Sequence, residues 1–392
     1  MPRDHGLSER LKTVEWSGIR KMHAMAEGLD DVINLGIGQP DFDTPSHIIK
    51  AAKQALDDGY TRYPPARGFA DLRHAIAAKL KRQNGLSVDP DREVMVTVGA
   101  MQVVFNTMLN HIEPGDEVIV MDPGYDYFSQ IRLFGGTPVS VPLHEHNGFR
   151  LNVEDLDAAI TDRTVMIVVN SPSNPTGAVF DRTILQAIAD IAIEKDLLVF
   201  SDEPYEDLCF DGREHFSIAS LPGMFDRTVT AFTLSKTYAM TGWRVGYVVG
   251  PQAIVDEMEK LMEHLVSGVT AVSQRAALKA IEAPQDCVAQ MMEAYARRRE
   301  VVDEGLNAIP RVSCVRPEAT FYAFPNISLT GMSSWKLAEH LLNTQRVITI
   351  PGPIFGPNGE GYLRISFAVP DDQLREAIAR IRTGIEALPS SA

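Results

Sequence analysis

Lys236 stands where an apolar, β-branched run breaks into hydroxyls. The run opens the stretch TVTAFTLSKTYAMTGWRVGYVVG at residues 228–250, and its composition reads as a buried strand. Thr233 and Ser235 precede the lysine, Arg244 follows it, and a second apolar run occupies 245–249. An ammonium in a partly desolvated pocket beside another cation has a depressed pKa and can attack a carbonyl. Thr233, Ser235 and Arg244 are the donors that a phosphate requires. One lysine beside one phosphate cradle points to a phosphorylated aldehyde held as a Schiff base, which is pyridoxal phosphate. The stretch alone also accommodates a surface lysine in a Ser/Thr loop, so the rest of the chain decides.

Further polar candidates follow immediately after apolar runs. Gly99, Ala100 and Met101 open a helix after the run 93–98, and free N–H groups at such a start seat a phosphate. Tyr125 follows the run 117–121, Asn174 lies in NSPSNPTG (170–177) after 164–169, and Asp202 and Tyr205 lie in SDEPYE (201–206) after 197–200. Ligands of open α/β sheets bind beyond the carboxyl ends of strands, so these residues and Lys236 are expected on one rim. Each is also explicable as an ordinary loop residue. Gly38, in GIGQPDFDTP, offers exposed backbone or a mere structural turn. Arg364 alternates with Leu363 and Ile365 in a strand-like run. Its planar fork suits a carboxylate, whether a ligand's or another protein residue's.

Strands alternating with helices over 93–250 imply a largely parallel sheet covered on both faces. Helices are expected at 8–27, at 45–58 with Ser46 as cap, at 69–83 and at 182–195, and over 251–283 with a break near Ser267-Gly268. A helix at 288–308 carries Arg297, Arg298 and Arg299 on its polar side, read as solvated or paired with Glu293 and Glu300. From residue 312 onward the elements are shorter and mixed, with strands at 321–324, 347–350 and 362–367 and helices at 334–342 and 373–388. His144-Glu145-His146 has no metal-ligand spacing and reads as an exposed loop, and no metal is expected. No GxGxxG fingerprint follows a strand at Gly36–Gly38.

The 392 residues are 45% hydrophobic and 23% charged, enough for one large domain and a smaller one. A formal net charge of −15 disfavours nucleic acid and anionic lipid as partners. Three dispersed cysteines, Cys209, Cys287 and Cys314, fit free thiols in a reducing cytoplasm. The start of the chain has no apolar signal core, no run is apolar enough to span a membrane, and no repeat is evident.

Together NSPSNPTG, SDEPYE, SKTYAMTGWRVGY (235–247) and GYLRISFA (361–368), in this order and spacing, resemble the fold-type I enzymes that use pyridoxal phosphate. The closer resemblance is to class I aminotransferases of the bacterial aspartate-aminotransferase-like subgroup, over roughly residues 29–387. GQPDFDTP and YTRYPPARG look similar too. The resemblance implies an α/β large domain at 45–290 with a mostly parallel seven-stranded sheet. A smaller α+β domain is expected from 1–44 and 291–392. It implies ping-pong transamination between an amino acid and a 2-oxo acid, with Lys236 as Schiff-base residue and proton carrier. Asp202 is expected to pair with the pyridine nitrogen, Tyr205 and Asn174 with the phenolic oxygen, and Tyr125 to stack on the ring. Gly99, Ala100, Met101, Thr233, Ser235 and Arg244 are expected to bind the phosphate, with Tyr63 reaching it from the neighbouring subunit of a homodimer. Arg364, Asn174 and the Gly38 backbone are expected to clamp the substrate carboxylate.

Dicarboxylate-specific members carry a cation near the substrate's side chain. Here the corresponding positions, Met101 and Thr270, are uncharged, with Arg20, Arg67 or Arg275 as other sources of charge. Gly124 and Tyr127 depart from the family's aromatic pattern. A pocket of Ile37, Met101, Tyr125 and Tyr127 is expected to suit neutral or aromatic side chains. The alternatives are an aspartate aminotransferase proper, or a β/γ-lyase, decarboxylase or oxidase on the same scaffold. A regulatory module would need a DNA-binding domain for which this chain is too short.

Overall fold

The structure, a computed structural model, describes residue 6 and residues 8–389. Readings that touch residues 1–5, 7 and 390–392, including the outer bounds of the expected small domain, lie outside the described residues. The strands in chain order are β1 (Ile33–Asn34), β2 (Val94–Thr97), β3 (Glu117–Asp122), β4 (Thr137–Pro142), β5 (Thr164–Asn170) and β6 (Leu198–Asp202). They continue with β7 (Thr228–Thr233), β8 (Gly246–Val249), β9 (Tyr322–Ala323), β10 (Val347–Ile348), β11 (Ile350–Pro351) and β12 (Leu363–Ser366).

Seven strands form one sheet in the order β2-β8-β7-β6-β5-β3-β4. Only β8 runs against its neighbours, pairing antiparallel with β2 and β7. The continuous apolar runs are explained by burial on both faces. Ile119, Met121, Ile167, Val169 and Val199 enter one core, while Val118, Val120, Met166, Val168 and Phe200 enter another. Period-two alternation thus feeds two separate layers of helices. The first core continues into the small sheets β1-β10 and β11-β12-β9, which places Arg364 of β12 over the carboxyl ends of the large sheet.

Helix Arg182–Glu194 illustrates the local logic. Asp181 caps it by accepting from the backbone N–H of Thr183 and Ile184 (2.9 and 3.0 Å). Leu185, Ile188, Ala189 and Ala192 form its buried stripe.

Several expectations are corrected. The helix at Ser46–Asp57 has Pro45 at its N-cap, and Ser46 is its first residue. Within 8–27 the α-helix covers Gly18–Met25, preceded by a 3₁₀ turn at Glu9–Thr13. The break near Ser267 separates helices Gln252–Leu265 and Ala271–Glu282. Edge strand β4 went unread because prolines sit at its second and last positions, where an edge tolerates them.

Arg298 and Arg299 are buried. Arg298 forks onto Asp41 and also donates to Asp371, and Arg299 forks onto Asp211 with a longer contact to Glu300. Arg298 ties helix Asp286–Asn307 to the segment after Gly38, and Arg299 ties it to the turn at Asp211, because buried guanidinium groups need carboxylates brought from elsewhere in the chain. Residues 144–146 are a surface turn in which Glu145 receives Ser313 and Asn326. Among the described residues there is no cluster able to hold a metal.

Candidate active site

The sheet order carries the site. Strands β7, β6 and β5 are neighbours, so Lys236 just beyond β7, Asp202 at the end of β6 and Asn170 at the end of β5 emerge side by side. They open on a cavity of about 340 Å³. Of the residues expected in the site, Gly38, Ala100, Met101, Tyr125, Asn174, Asp202, Tyr205, Thr233, Ser235, Lys236, Arg244 and Arg364 line it. Gly99 adjoins it beneath Arg244, and Tyr63 lies on the surface away from it.

Lys236 Nζ donates to the Gly38 carbonyl at 2.5 Å. Burial, and then the charges of Arg364 and Arg244, push its amine down to about 8, against the pull of Asp202. A testable consequence follows for the cofactor-free protein. Between about 8 and 10.5 the unfolded lysine still binds its proton while the folded one has released it. The protein should therefore gain stability relative to Lys236→Met as pH rises through that window, by at most about 3 kcal/mol. Urea unfolding at several pH values reads this difference, and a flat difference would contradict a depressed amine.

Asp202 is buried, and burial raises its carboxyl to about 6 despite a hydrogen bond from Tyr127. The Tyr127 hydroxyl donates to Asp202 Oδ2 at 2.6 Å, while Oδ1 is buried with no partner among the described residues. Tyr127 therefore does not line the cavity, contrary to the sequence expectation. It sits at the start of the short helix Phe128–Leu133 with its ring against Phe200, behind the carboxylate. The neighbouring Glu203 turns the other way and is closed off by Ser201, Ser217 and His215.

Asn170 holds the loop that presents Asn174. Its Oδ1 accepts from the Asn174 N–H at 3.0 Å and its Nδ2 donates to the Asp202 carbonyl at 3.1 Å. Asn174 Oδ1 then accepts from Arg364 Nη1 at 3.2 Å, and Arg364 Nη2 donates to the Gly36 carbonyl at 2.6 Å. Arg364 is only 1% exposed and lies against the rings of Tyr322 and Phe355 (4.4 and 4.9 Å). Its Nε has no partner, and no carboxylate among the described residues pairs with it. A buried, fork-shaped cation facing a cavity without a protein anion is arranged to receive a ligand's carboxylate.

At the opposite end Thr233 donates to Ser235 at 2.8 Å, and among the described residues the Arg244 side chain bonds only the Thr241 carbonyl. Arg244 is held in the left-handed region at φ 50°, a conformation non-glycine residues rarely keep without cause. Gly99 has φ +68°, and a Cβ there would lie 2.8 Å from Arg244 Nη2. Glycine is thus needed where the helix Gly99–His111 meets the arginine. Helix-start N–H groups, two hydroxyls and an uncommitted arginine fit a phosphate. The buried, unpartnered Asp202 Oδ1 fits a protonated ring nitrogen, and Lys236 fits an aldehyde. The donor set therefore fits pyridoxal phosphate.

Charge elsewhere is committed. Arg67 pairs with Asp256 and Glu259 (2.5 and 2.6 Å), and Arg275 forks onto Asp71 (2.5 and 2.6 Å). Arg20 is exposed, and it is Ile19 beside it that reaches the cavity. Thr270 begins helix Ala271–Glu282 outside the cavity. Sequence reasoning missed Ile19, Gln39, Thr241 and Tyr322 as lining residues. Tyr322 had a signal: in the expected strand 321–324 it alternates with Phe321.

The family described as aminotransferase class I and II matches residues 30–381. The chain is 45% identical to the aspartate aminotransferase of Pyrococcus abyssi, over 96% of this chain and 97% of that one. It is 42% identical to aromatic-amino-acid aminotransferase 2 of Thermococcus litoralis, over the same shares. The solved structure of Thermus thermophilus aspartate aminotransferase with maleate superposes with a TM-score of 0.93 at 39% identity, covering 97% of this chain and all of that one (100%).

Proposed function

The chain belongs to the class I and II aminotransferases, and we propose that within this family it transfers amino groups from neutral or aromatic amino acids. It is a fold-type I aminotransferase that uses pyridoxal phosphate and acts on amino acids and 2-oxo acids. The observation that carries the preference is the cavity wall at Met101, Ile37 and Ile19. Among the described residues the only cations lining that cavity are Lys236, Arg244 and Arg364. A second substrate carboxylate would meet apolar atoms there and lose its hydration without recompense. Aspartate as principal substrate is the second reading, favoured by the name of the Pyrococcus abyssi relative.

When bound, pyridoxal phosphate supplies an aldehyde that accepts the amino group and an electron-withdrawing ring that eases loss of the Cα proton. Thr233, Ser235, Arg244 and the N–H groups at Gly99–Met101 would hold its phosphate. Asp202 would face the ring nitrogen, Tyr205 and Asn174 the phenolic oxygen, and Tyr125 the ring face. Arg364 and Asn174 bind the substrate α-carboxylate and so fix which Cα bond stands perpendicular to the ring. The Lys236 amine, free in part as base near neutral pH, takes the Cα proton at Nζ and hands it on.

Tyr63 is 90% exposed, an unusual position for a large aromatic, and this supports a homodimer in which it completes the partner's phosphate site. The distribution of sheets supports the division into a large domain at 45–290 and a small one from 1–44 and 291–392. The cysteines are free and no described helix is long and apolar enough to cross a membrane. We place the enzyme in the cytoplasm on the first of these.

Ratios of kcat/KM for phenylalanine and aspartate test the preference. Phenylalanine should lead by tenfold or more, on the order of one lost charge contact, and Met101→Lys should raise the aspartate value. An aspartate lead in the wild type would replace this reading with the second one.

A further inference from the structure

Tyr322 carries no role in the transamination scheme above, yet it touches both halves of the site. It is 1% exposed, and its hydroxyl lies 3.0 Å from the Tyr205 hydroxyl. Its ring lies 4.4 Å from the Arg364 guanidinium. Register explains this double contact: Tyr322 of β9 pairs with Ser366 of β12, two residues along the same face from Arg364. Gly38 is shaped around the same hydroxyl, since a Cβ at that glycine would come within 2.3 Å of Tyr322 Oη. The glycine singled out in the sequence is thus required to leave room for a tyrosine hydroxyl.

Each phenol has one proton to donate. If Tyr205 donates to Tyr322, its proton is spent there and the Tyr322 proton is left to point into the cavity that Tyr322 also lines. If Tyr322 donates to Tyr205, the Tyr205 proton is left to point into the cavity that Tyr205 lines beside Lys236. Both tyrosines line the cavity, so either arrangement leaves one proton for an acceptor there, but only donation from Tyr322 leaves that proton on Tyr205, the residue assigned to the phenolic oxygen.

We propose that Tyr322 is a positioning residue that donates to Tyr205, fixing the Tyr205 hydroxyl as a donor toward the cofactor's phenolic oxygen, while its ring supports Arg364. This rests on the assignment of Tyr205 to that oxygen. A donor strengthened by a second donor behind it stabilises the anionic oxygen more than a lone phenol does. Removing the Tyr322 hydroxyl weakens that stabilisation, and removing the ring disturbs the carboxylate anchor as well.

The test uses the loaded enzyme without substrate, titrating the visible absorbance of the bound cofactor with pH. Tyr322→Phe should raise the midpoint by about 0.5–1 unit, the size of one neutral hydrogen bond. Tyr205→Phe should raise it further, and the double variant should match Tyr205→Phe alone, because the second hydroxyl acts only through the first. Binding of a carboxylate with no amino group, 3-phenylpropanoate, should change less than twofold in Tyr322→Phe and weaken about tenfold or more in Tyr322→Leu. If Tyr205→Phe moves the midpoint and Tyr322→Phe does not, the proposal falls and the Tyr205 assignment stands. If neither moves it, the assignment falls and takes the proposal with it. Additive shifts in the double variant, or an analogue affinity lost in Tyr322→Phe, would also overturn the relay.

Discussion

Lys236→Ala will retain pyridoxal phosphate without a covalent link and will lose transamination. The lost proton transfer alone is worth roughly 10²–10⁴-fold, and the loss of covalent attachment adds to it. The reason is positional. Lys236 is the one lysine among the described residues that lines the cavity, just beyond β7 beside Asp202 on β6. Its amine is depressed to about 8 by burial and by Arg364 and Arg244, so about a tenth is unprotonated at pH 7, far more than for an ordinary lysine. No other amine among the described residues lines the cavity to replace it. Added methylamine should restore part of the rate, because a diffusible base can enter the space left by the side chain. Single-turnover rates measured with and without methylamine read both effects. A variant within tenfold of the wild type would remove Lys236 from the proton transfer.

Arg364→Leu should lower kcat/KM for amino acids by about 10²–10³-fold. A buried, hydrogen-bonded charge contact is worth about 2–5 kcal/mol, and 1.4 kcal/mol is tenfold. Arg364→Lys should fall between, since an ammonium keeps the charge and loses the fork. The control is an amine without a carboxylate, such as 2-phenylethylamine, whose slow reaction should not suffer from either change. Loss of the clamp also frees the substrate to rotate about its Cα–N bond, so the share of turnovers that release CO2 should rise. Equal losses for the amine and the amino acid would mean that Arg364 supports the fold rather than the substrate.

Much of this site could be read from the sequence because its residues follow buried strands. Lys236, Asp202 and Asn174 stand directly after apolar runs whose length and β-branching announce them, and a parallel sheet brings such ends together. Arg364 was visible as a charge inside an alternating strand, and the structure supplies the reason: no carboxylate among the described residues answers it. What escaped depends on contacts between distant segments. Tyr127 has the same local surroundings as a pocket residue, and only the turn of the short helix after it sends its hydroxyl behind Asp202. Arg298 and Arg299 looked solvated beside nearby glutamates. Their actual partners, Asp41, Asp371 and Asp211, lie some 70 to 260 positions away along the chain. Strand β4 was hidden by its own prolines, which only an edge position excuses. Tyr322 needed the pairing of β9 with β12 before its ring could be placed against Arg364.

In the roles proposed for them, Lys236 and Arg364 together commit a bound amino acid to loss of its Cα proton and transfer of its amino group. The most direct measurement is anaerobic single-turnover absorbance of the loaded enzyme mixed with phenylalanine and with its 2-deuterated form. The expected result is loss of the visible band with one equivalent of 2-oxo acid per active site, no CO2, and a slower rate for the deuterated substrate. Absence of any band change across a panel of amino acids, or a change accompanied by stoichiometric CO2 or by ammonia release, would contradict it.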